Sequence, residues 1–431
     1  MKLIINNKIF TDNTNELEKG SIFVLSKNNE KFKDIAINGG FEIIESKNLK
    51  NYLDMSSIKI VGITGTNGKT TTATTIYKIL LNLGYKVALQ GTRGFFINEN
   101  QVEDYSLTTP VQIGNFVNIQ KAIENSCQFF VMEVSSHAIS QNRVEGLNFA
   151  LKIHTNITRD HLDYHKTIEE YIDVKNSFLS DDSQKLVNID DEVLKYNSKN
   201  AYTYSLKNSS NFQVINKTIE NIMSVEFINE DKKYSFNTKM MGIFNIYNLM
   251  ASIAAVFITT KRDLDDICKA VENFQSVSGR MEIVSQKPFI IVDFAHTPDG
   301  MDEVLKSFPN KDIICVFGAG GNRDSAKRPL MGKVAKKYSK HIVVTSDNPR
   351  FEDPKKIIED ILSGIDDKSN VIVEENRAEA LKKAISLTDD KSVVLVLGKG
   401  DEATQIVGDK KFEFSDKTEI LKILNKIKTK N

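Results

Sequence analysis

The segment "KIVGITGTNGKTTTATTIYKILLNLG", residues 59–84, narrows the possible folds more than any other part of the chain. "KIVGIT" is a β-branched run that reads as a strand. "GTNGK" follows, and its glycines let backbone N–H groups turn toward an anion. "TTTATTIYKILLNLG" then carries apolar residues at helical spacing and ends in Gly84. A strand, a glycine turn and a helix in that order form an anion site at a helix N-terminus. Lys69 is positioned to reach outer phosphates, and the Thr70 hydroxyl to hold Mg²⁺. The spacing departs from the standard nucleotide loop, which has a glycine where this chain has Ile63.

Residues 281–431 repeat the alternation. "IICVFG", "HIVVTS", "NVIVEE" and "VVLVLG" are short apolar runs separated by helix-like segments such as "RAEALKKAISL". Such alternation predicts a parallel sheet flanked by helices, an α/β fold with ligands at the carboxyl ends of strands. A chain of 431 residues is too long for one ordinary core, so several domains are expected. The texture changes near residues 57 and 280: short β-like runs among polar turns, then the loop-bearing zone, then the alternating zone. Lysine plus arginine equals aspartate plus glutamate, which gives no basic groove for nucleic acid. Cys127, Cys268 and Cys315 are scattered, as expected for reduced thiols in a cytoplasmic protein. No apolar stretch is read as a signal peptide or membrane span.

Several uncommon segments follow strand-like runs: "LTTP" (107–110), "MEVSSHAISQNRVEG" (132–146), "TNITRDHLDYH" (155–165), "YIDVKNSFL" (171–179) and "GIFNIYN" (242–248). "SGRME" (278–282), "VDFAHTPDGM" (292–301), "GNRDSAKRPLMG" (321–332), "SDNPR" (346–350) and "GKGDEATQI" (398–406) complete the set. With the loop "GTNGKTT", these occur in the order found in the Mur ligases, and the chain resembles that family over nearly its whole length. Mur ligases are ATP-dependent amino-acid-adding enzymes of peptidoglycan synthesis. The resemblance is greatest to the branch that adds the third residue to UDP-N-acetylmuramoyl-L-alanyl-D-glutamate. It implies a three-domain α/β architecture: a short UDP-binding domain (1–57), a central P-loop-like ATPase domain (58–280) and a C-terminal Rossmann-like domain (281–431) that binds the amino acid.

The implied chemistry is amide formation through an acyl phosphate, with ATP as co-substrate and Mg²⁺ as cofactor. The resemblance assigns ATP to Gly65, Thr66, Asn67, Gly68, Lys69, Thr70, Thr71, Asn248, Arg280, Asp293 and His296. It assigns metal to Thr70, Glu133, His161 and Lys175, the last as a carbamate that turns a cation into an anion. Lys69, Lys175 and His161 are the catalytic candidates. Taken alone, Lys175 reads as an ordinary helical surface lysine, and His137 and His165 read equally well as structural histidines. Thr108, Thr109, Ser135, Gln141 and Arg143 are assigned to the UDP-sugar substrate. Arg323, Asp347, Asn348, Arg350, Gly398 and Glu402 are assigned to the amino acid. A guanidinium grips a carboxylate bidentately, so Arg350 favours meso-2,6-diaminopimelate, which carries a distal carboxylate that L-lysine lacks. L-Lysine and a folylpolyglutamate-synthetase-like reaction remain the alternatives. The implied partners are small molecules, and a monomer is expected. The family's N-terminal Asp-Ser-Arg pattern is replaced here by Asn13, Thr14 and Asn15, followed by Gly20, so no uracil contact is assigned.

Overall fold

A computed structural model of the chain describes residues 1–104, 107–219, 222–272, 274 and 276–428. The chain divides into two compact units. The first comprises Met1–Ile157, Glu169–Thr238 and Asn245–Phe274; the second comprises Thr158–Ile168, Lys239–Phe244 and Gln275–Asn431.

The first unit is built on an 11-stranded sheet. Its centre is parallel: Lys59–Thr64 lies between Phe149–His154 and Phe129–Glu133, and Val87–Gly91 pairs with Phe129–Glu133. Antiparallel pairs close both edges, Gly94–Ile97 with Asn100–Glu103 at one, and Met223–Asn229 with Phe212–Ile219 and Lys232–Thr238 at the other. Strand Lys59–Thr64 is buried from Ile60 onward, which explains its continuous apolar run. Helix Lys69–Asn82 starts directly after Gly68 and packs on strands Val87–Gly91 and Phe129–Glu133. Residues 1–57 form a small sheet, Lys2–Ile5, Lys8–Thr11, Ser21–Leu25 and Glu42–Glu45. Its side chains Leu3, Phe10 and Ile22 share one apolar cluster with Ala88, Ile113 and Phe116. The N-terminal residues therefore gain much of their burial from the sheet that follows them. Helix Ile243–Thr260 is long and apolar enough to cross a membrane by length and composition, yet 72% of it is buried within the protein.

The second unit carries a six-stranded sheet ordered Glu282–Gln286, Phe289–Asp293, Ser392–Leu397, Asp312–Phe317, His341–Val344 and Val371–Val373. All but the first strand are parallel. Alternate side chains enter different cores. Ile313, Cys315, Phe317, Leu395 and Val344 pack on one face, and Ile314, Val316, Val394, Val396 and Val343 on the other. Two buried faces account for the unbroken apolar strands. Asp293 and the loops beginning at Gly318, Thr345 and Gly398 all emerge at the carboxyl ends of these strands.

Candidate active site

Glycine and asparagine shape the phosphate loop. Gly68 has a left-handed φ of 85° at the N-terminus of helix Lys69–Asn82, and a Cβ there would collide with Asn248 Oδ1. Asn156 braces the loop from the next strand end: its Oδ1 accepts from Asn67 N at 3.0 Å, and its Nδ2 donates to Asn67 O at 3.0 Å. The Thr155 hydroxyl donates to Asn67 O at 2.7 Å, and Thr66 N donates to Asn156 O at 2.7 Å. Thr66 Oγ1 lies 2.9 Å from the Tyr171 hydroxyl. Lys69 Nζ folds over the loop, donating to Gly65 O at 2.7 Å and Thr66 O at 2.8 Å. Thr71 is buried in the first helical turn. Asn248 approaches from helix Ile243–Thr260, where Nδ2 donates to Asn245 Oδ1 at 3.0 Å.

Beside the loop, buried Glu133 ends strand Phe129–Glu133. The Thr70 hydroxyl donates to its Oε2 at 2.9 Å. Thr92 N donates to Oε1 at 2.9 Å, and the Thr92 hydroxyl to Oε2 at 3.3 Å. Thr108 Oγ1 lies 3.0 Å from Thr92 Oγ1. A buried carboxylate ringed by hydroxyl oxygens is the hard-oxygen donor set that Mg²⁺ prefers. Among the described residues no group of three His, Cys, Asp or Glu side chains converges on a metal position. Lys175 is buried rather than on the surface, its Nζ donating to Gly65 O at 2.8 Å and lying 4.9 Å from the Tyr171 ring centroid.

The sugar-side candidates form one network. Thr109 Oγ1 donates to Glu133 O at 2.9 Å and accepts from Ser135 N at 3.0 Å. Ser135 Oγ caps the short helix Ser136–Ser140 by accepting from Ala138 N at 3.1 Å. Arg143 donates from Nε and Nη2 to Gln141 Oε1, at 3.0 and 2.7 Å, and from Nη1 to Thr109 O at 2.8 Å. Gln141 and Arg143 line a cleft with Asp12, Ser26, Asn28, Asn29 and Gln112.

In the second unit His161 has a left-handed φ of 53°, and its Nε2 is 3.3 Å from Asp160 Oδ2. Burial opposes the Asp160 charge, but His161, His296 and Lys327 hold its carboxyl well below the usual range. Burial, with Lys327 nearby, depresses His296 to about 4. Asp293 is pushed up by burial against the pull of Arg280, and its Oδ2 accepts from Met281 N at 2.7 Å. The Arg280 guanidinium stacks 4.0 Å from the Phe294 ring centroid.

The amino-acid candidates meet at the carboxyl ends of strands His341–Val344 and Ser392–Leu397. Asn348 Nδ2 donates to Glu402 Oε2 at 2.8 Å. A Cβ on Gly398, whose φ is 110°, would stand 2.7 Å from Asp347 Oδ2, so glycine is needed for this approach. Arg350 Nη1 donates to Gly321 O at 2.9 Å and Asn348 O at 3.4 Å. Its Nε and Nη2 take no acceptor among the described residues, which leaves one guanidinium edge open. Burial and the Arg323 charge lower Arg350 below the usual arginine range, opposed by Asp347 and Glu402. Arg323 is more exposed, its Nη1 lying 3.9 Å from Asp163.

The Mur ligase middle-domain pattern matches residues 63–256, and the Mur ligase glutamate ligase domain pattern matches residues 279–400. The UDP-N-acetylmuramoyl-L-alanyl-D-glutamate--2,6-diaminopimelate ligase of Wolinella succinogenes is 45% identical over 98% of this chain and 97% of its own. The enzyme of the same name from Helicobacter pylori is 46% identical over 94% and 93%. This chain belongs to the Mur ligase family. A solved structure of a UDP-N-acetylmuramoyl-L-alanyl-D-glutamate--2,6-diaminopimelate ligase shares its fold with a TM-score of 0.70 and 27% identity, covering 97% of this chain and 95% of that one.

Several residues of this Mur ligase carry the site without having stood out in its sequence. Thr92, Asn156 and Lys399 each touch an expected site residue, yet none was assigned a role, although Asn156 and Lys399 lie inside the family segments 155–165 and 398–406. Asn28 and Asn29 join the cleft near Gln141 from a region where the family pattern is altered. The one available signal was position: Thr92 follows strand Val87–Gly91 directly, and Asn156 follows strand Phe149–His154 by two residues.

Proposed function

We propose that this Mur ligase joins meso-2,6-diaminopimelate to UDP-N-acetylmuramoyl-L-alanyl-D-glutamate, converting ATP to ADP and phosphate. The glutamate side-chain carboxylate attacks the γ-phosphorus, the bond to ADP breaks, and an acyl phosphate results. The diaminopimelate amine then attacks the acyl carbon, loses a proton, and phosphate leaves from the tetrahedral intermediate. The first step is governed by positioning and charge neutralisation. Loop amides at 65–68 and Lys69 receive the phosphates, with Asn248, Arg280, Asp293 and His296 on the nucleotide. Thr70 and Glu133 would hold a first Mg²⁺, and His161 and Lys175, the latter as a carbamate, are the candidate ligands for further metal. Mg²⁺ supplies neutralisation of phosphoryl charge.

Residues 1–57 serve as the UDP module, 58–280 as the ATP module and 281–431 as the amino-acid module. The cleft lined by Asn28, Asn29, Gln141 and Arg143 is the candidate for the nucleotide end of the sugar substrate, with Thr108, Thr109 and Ser135 nearer the carboxylate. We place the enzyme in the cytoplasm as a monomer. The observation that carries the choice of amino acid is the open guanidinium edge of Arg350, with the Glu402 carboxylate near enough to act on its charge, a combination suited to a carboxylate and ammonium on one carbon. The relatives named above act on diaminopimelate by name. The test is ADP release from Mg-ATP with each substrate omitted in turn. ADP and a mass-verified tripeptide should form only with the UDP-dipeptide and diaminopimelate together. ADP release driven by a folate in place of the UDP-dipeptide would overturn the proposal.

A further inference from the structure

Lys399 is a charged side chain with no role in the reaction above, yet it is 0% exposed. Its Nζ donates to Thr404 O at 2.7 Å, Glu402 Oε2 at 2.9 Å and Asn348 Oδ1 at 3.3 Å. An ammonium has three N–H donors, so all three are used. A cation this deeply buried is unfavourable without such pairing.

The consequence falls on Glu402, whose side chain is 34% exposed. Lys399 and Asn348 both donate to Oε2. Oε1 takes no hydrogen bond from the described residues. Asn348 is fixed by the same contact, because its Oδ1 accepts from Lys399 and, at 2.9 Å, from Ile406 N, directing Nδ2 to Glu402. One buried ammonium therefore ties the 346–350 loop, the 398–402 loop and strand Thr404–Val407 together. It does so through two residues assigned to the amino acid.

The geometry points to Lys399 as a positioning residue for the amino-acid subsite: it anchors Glu402 by one oxygen and leaves the other for an ammonium of the incoming amino acid. This rests on Glu402 binding that amino acid. Lys399 touches no substrate and acts through Glu402 and Asn348.

The test is steady-state ligation by Lys399→Met, which retains the apolar stem and removes every donor. KM for meso-diaminopimelate should rise at least about tenfold, the size of one charged hydrogen bond. KM for ATP should stay within about twofold, since the Lys399 ammonium bonds only Thr404, Glu402 and Asn348 and no residue assigned to the nucleotide. Adding Lys399→Met to Glu402→Gln should raise KM no further than Glu402→Gln alone. An unchanged KM, or effects that simply add, would overturn the inference. Should Lys399→Met fail to fold, as judged by its melting curve, Lys399→Gln decides by the same KM comparison, since it removes the charge and keeps a polar amide. If wild type ligates no diaminopimelate, the substrate assignment fails instead. The same KM comparison is then made with whichever amino acid is ligated.

Discussion

The phosphate loop and the amino-acid loops both sit at the carboxyl ends of parallel strands, but ammoniums donating to backbone carbonyls hold the first, while carboxylate–guanidinium pairs back the second. Asn156, Thr155 and backbone atoms bond Asn67 and Thr66 of the loop at 65–68, and the Lys69 and Lys175 ammoniums donate to its Gly65 and Thr66 carbonyls, so the charge that reaches the loop backbone is positive. The loops around Asp347 and Glu402 are backed by buried charges. Arg377, fully buried, donates from Nε and Nη2 to the Asp416 carboxylate at 2.7 and 2.8 Å, and to Leu397 O at 2.9 Å. Its Nη1 lies 3.8 Å from Asp347. Arg328 pairs at 2.8 Å with both Glu352 and Asp360. A polyphosphate is itself the charge, so its cradle needs orientation and N–H donors. A zwitterion needs fixed charges of both signs, and these must be held against their own repulsion and solvation.

The comparison breaks most visibly at Lys69. Lys69→Ala should reduce kcat by roughly 10²–10³, since one preorganised charge on a transferring phosphoryl group is worth ~3–4 kcal/mol. Its melting curve should stay in place. Near wild-type turnover by folded Lys69→Ala protein would remove the assignment. In the other region the same kind of change should fall on stability. Arg377→Met leaves Asp416 buried and unpaired, which should cost ~3–5 kcal/mol in urea unfolding. A loss below ~1 kcal/mol would show that buried charge does not hold these loops.

Acid should sharpen the contrast less strongly. Burial depresses both His154, in the first unit, and His296, in the second, the latter to about 4. Both are then neutral in the native protein while the unfolded chain protonates near the ordinary 6.5. Below that pH the unfolded state binds more protons, so stability falls as pH drops from 6.5 toward about 4. Melting temperatures from pH 7.5 to 4.5 should therefore decline less in His296→Gln than in wild type. Parallel declines would refute the neutral assignment. The smallest effect is expected at Thr92. Thr92→Val removes the hydroxyl contact to Glu133 and retains the backbone N–H bond, so kcat/KM for ATP should fall about two- to fivefold, ~0.5–1 kcal/mol. A loss as large as that of Lys69→Ala would mean that Thr92 does more than support Glu133.

This contrast also explains what could be read before folding. The phosphate loop is contiguous, and each of its residues restricts its neighbours, so strand, turn and helix were evident from "KIVGITGTNGKT". The parallel strands of the second unit were evident because both faces are buried. Their loops were assigned only through family motifs, because "SDNPR" alone reads as a turn. The supports were not evident at all. Arg377 lies in an ordinary helix-like segment, and its partner Asp416 is 39 positions away in sequence. Asn156 follows its strand by two residues, and only the sheet order brings it to Asn67. The burial of Lys175 was likewise hidden, because its helix shows no lysine-specific pattern.

The central claim is that the charged loops of the second unit select diaminopimelate. The most direct measurement is kcat/KM for meso-diaminopimelate and for L-lysine in wild type and in Arg350→Ala. Wild type should strongly prefer diaminopimelate, because a polar site left unpaired by the smaller substrate can discriminate by up to ~10⁴. Arg350→Ala should lose ~1.5–3 kcal/mol of that preference, the worth of a charged hydrogen bond. Equal use of the two amino acids by wild type, or a preference unchanged in Arg350→Ala, would contradict the account.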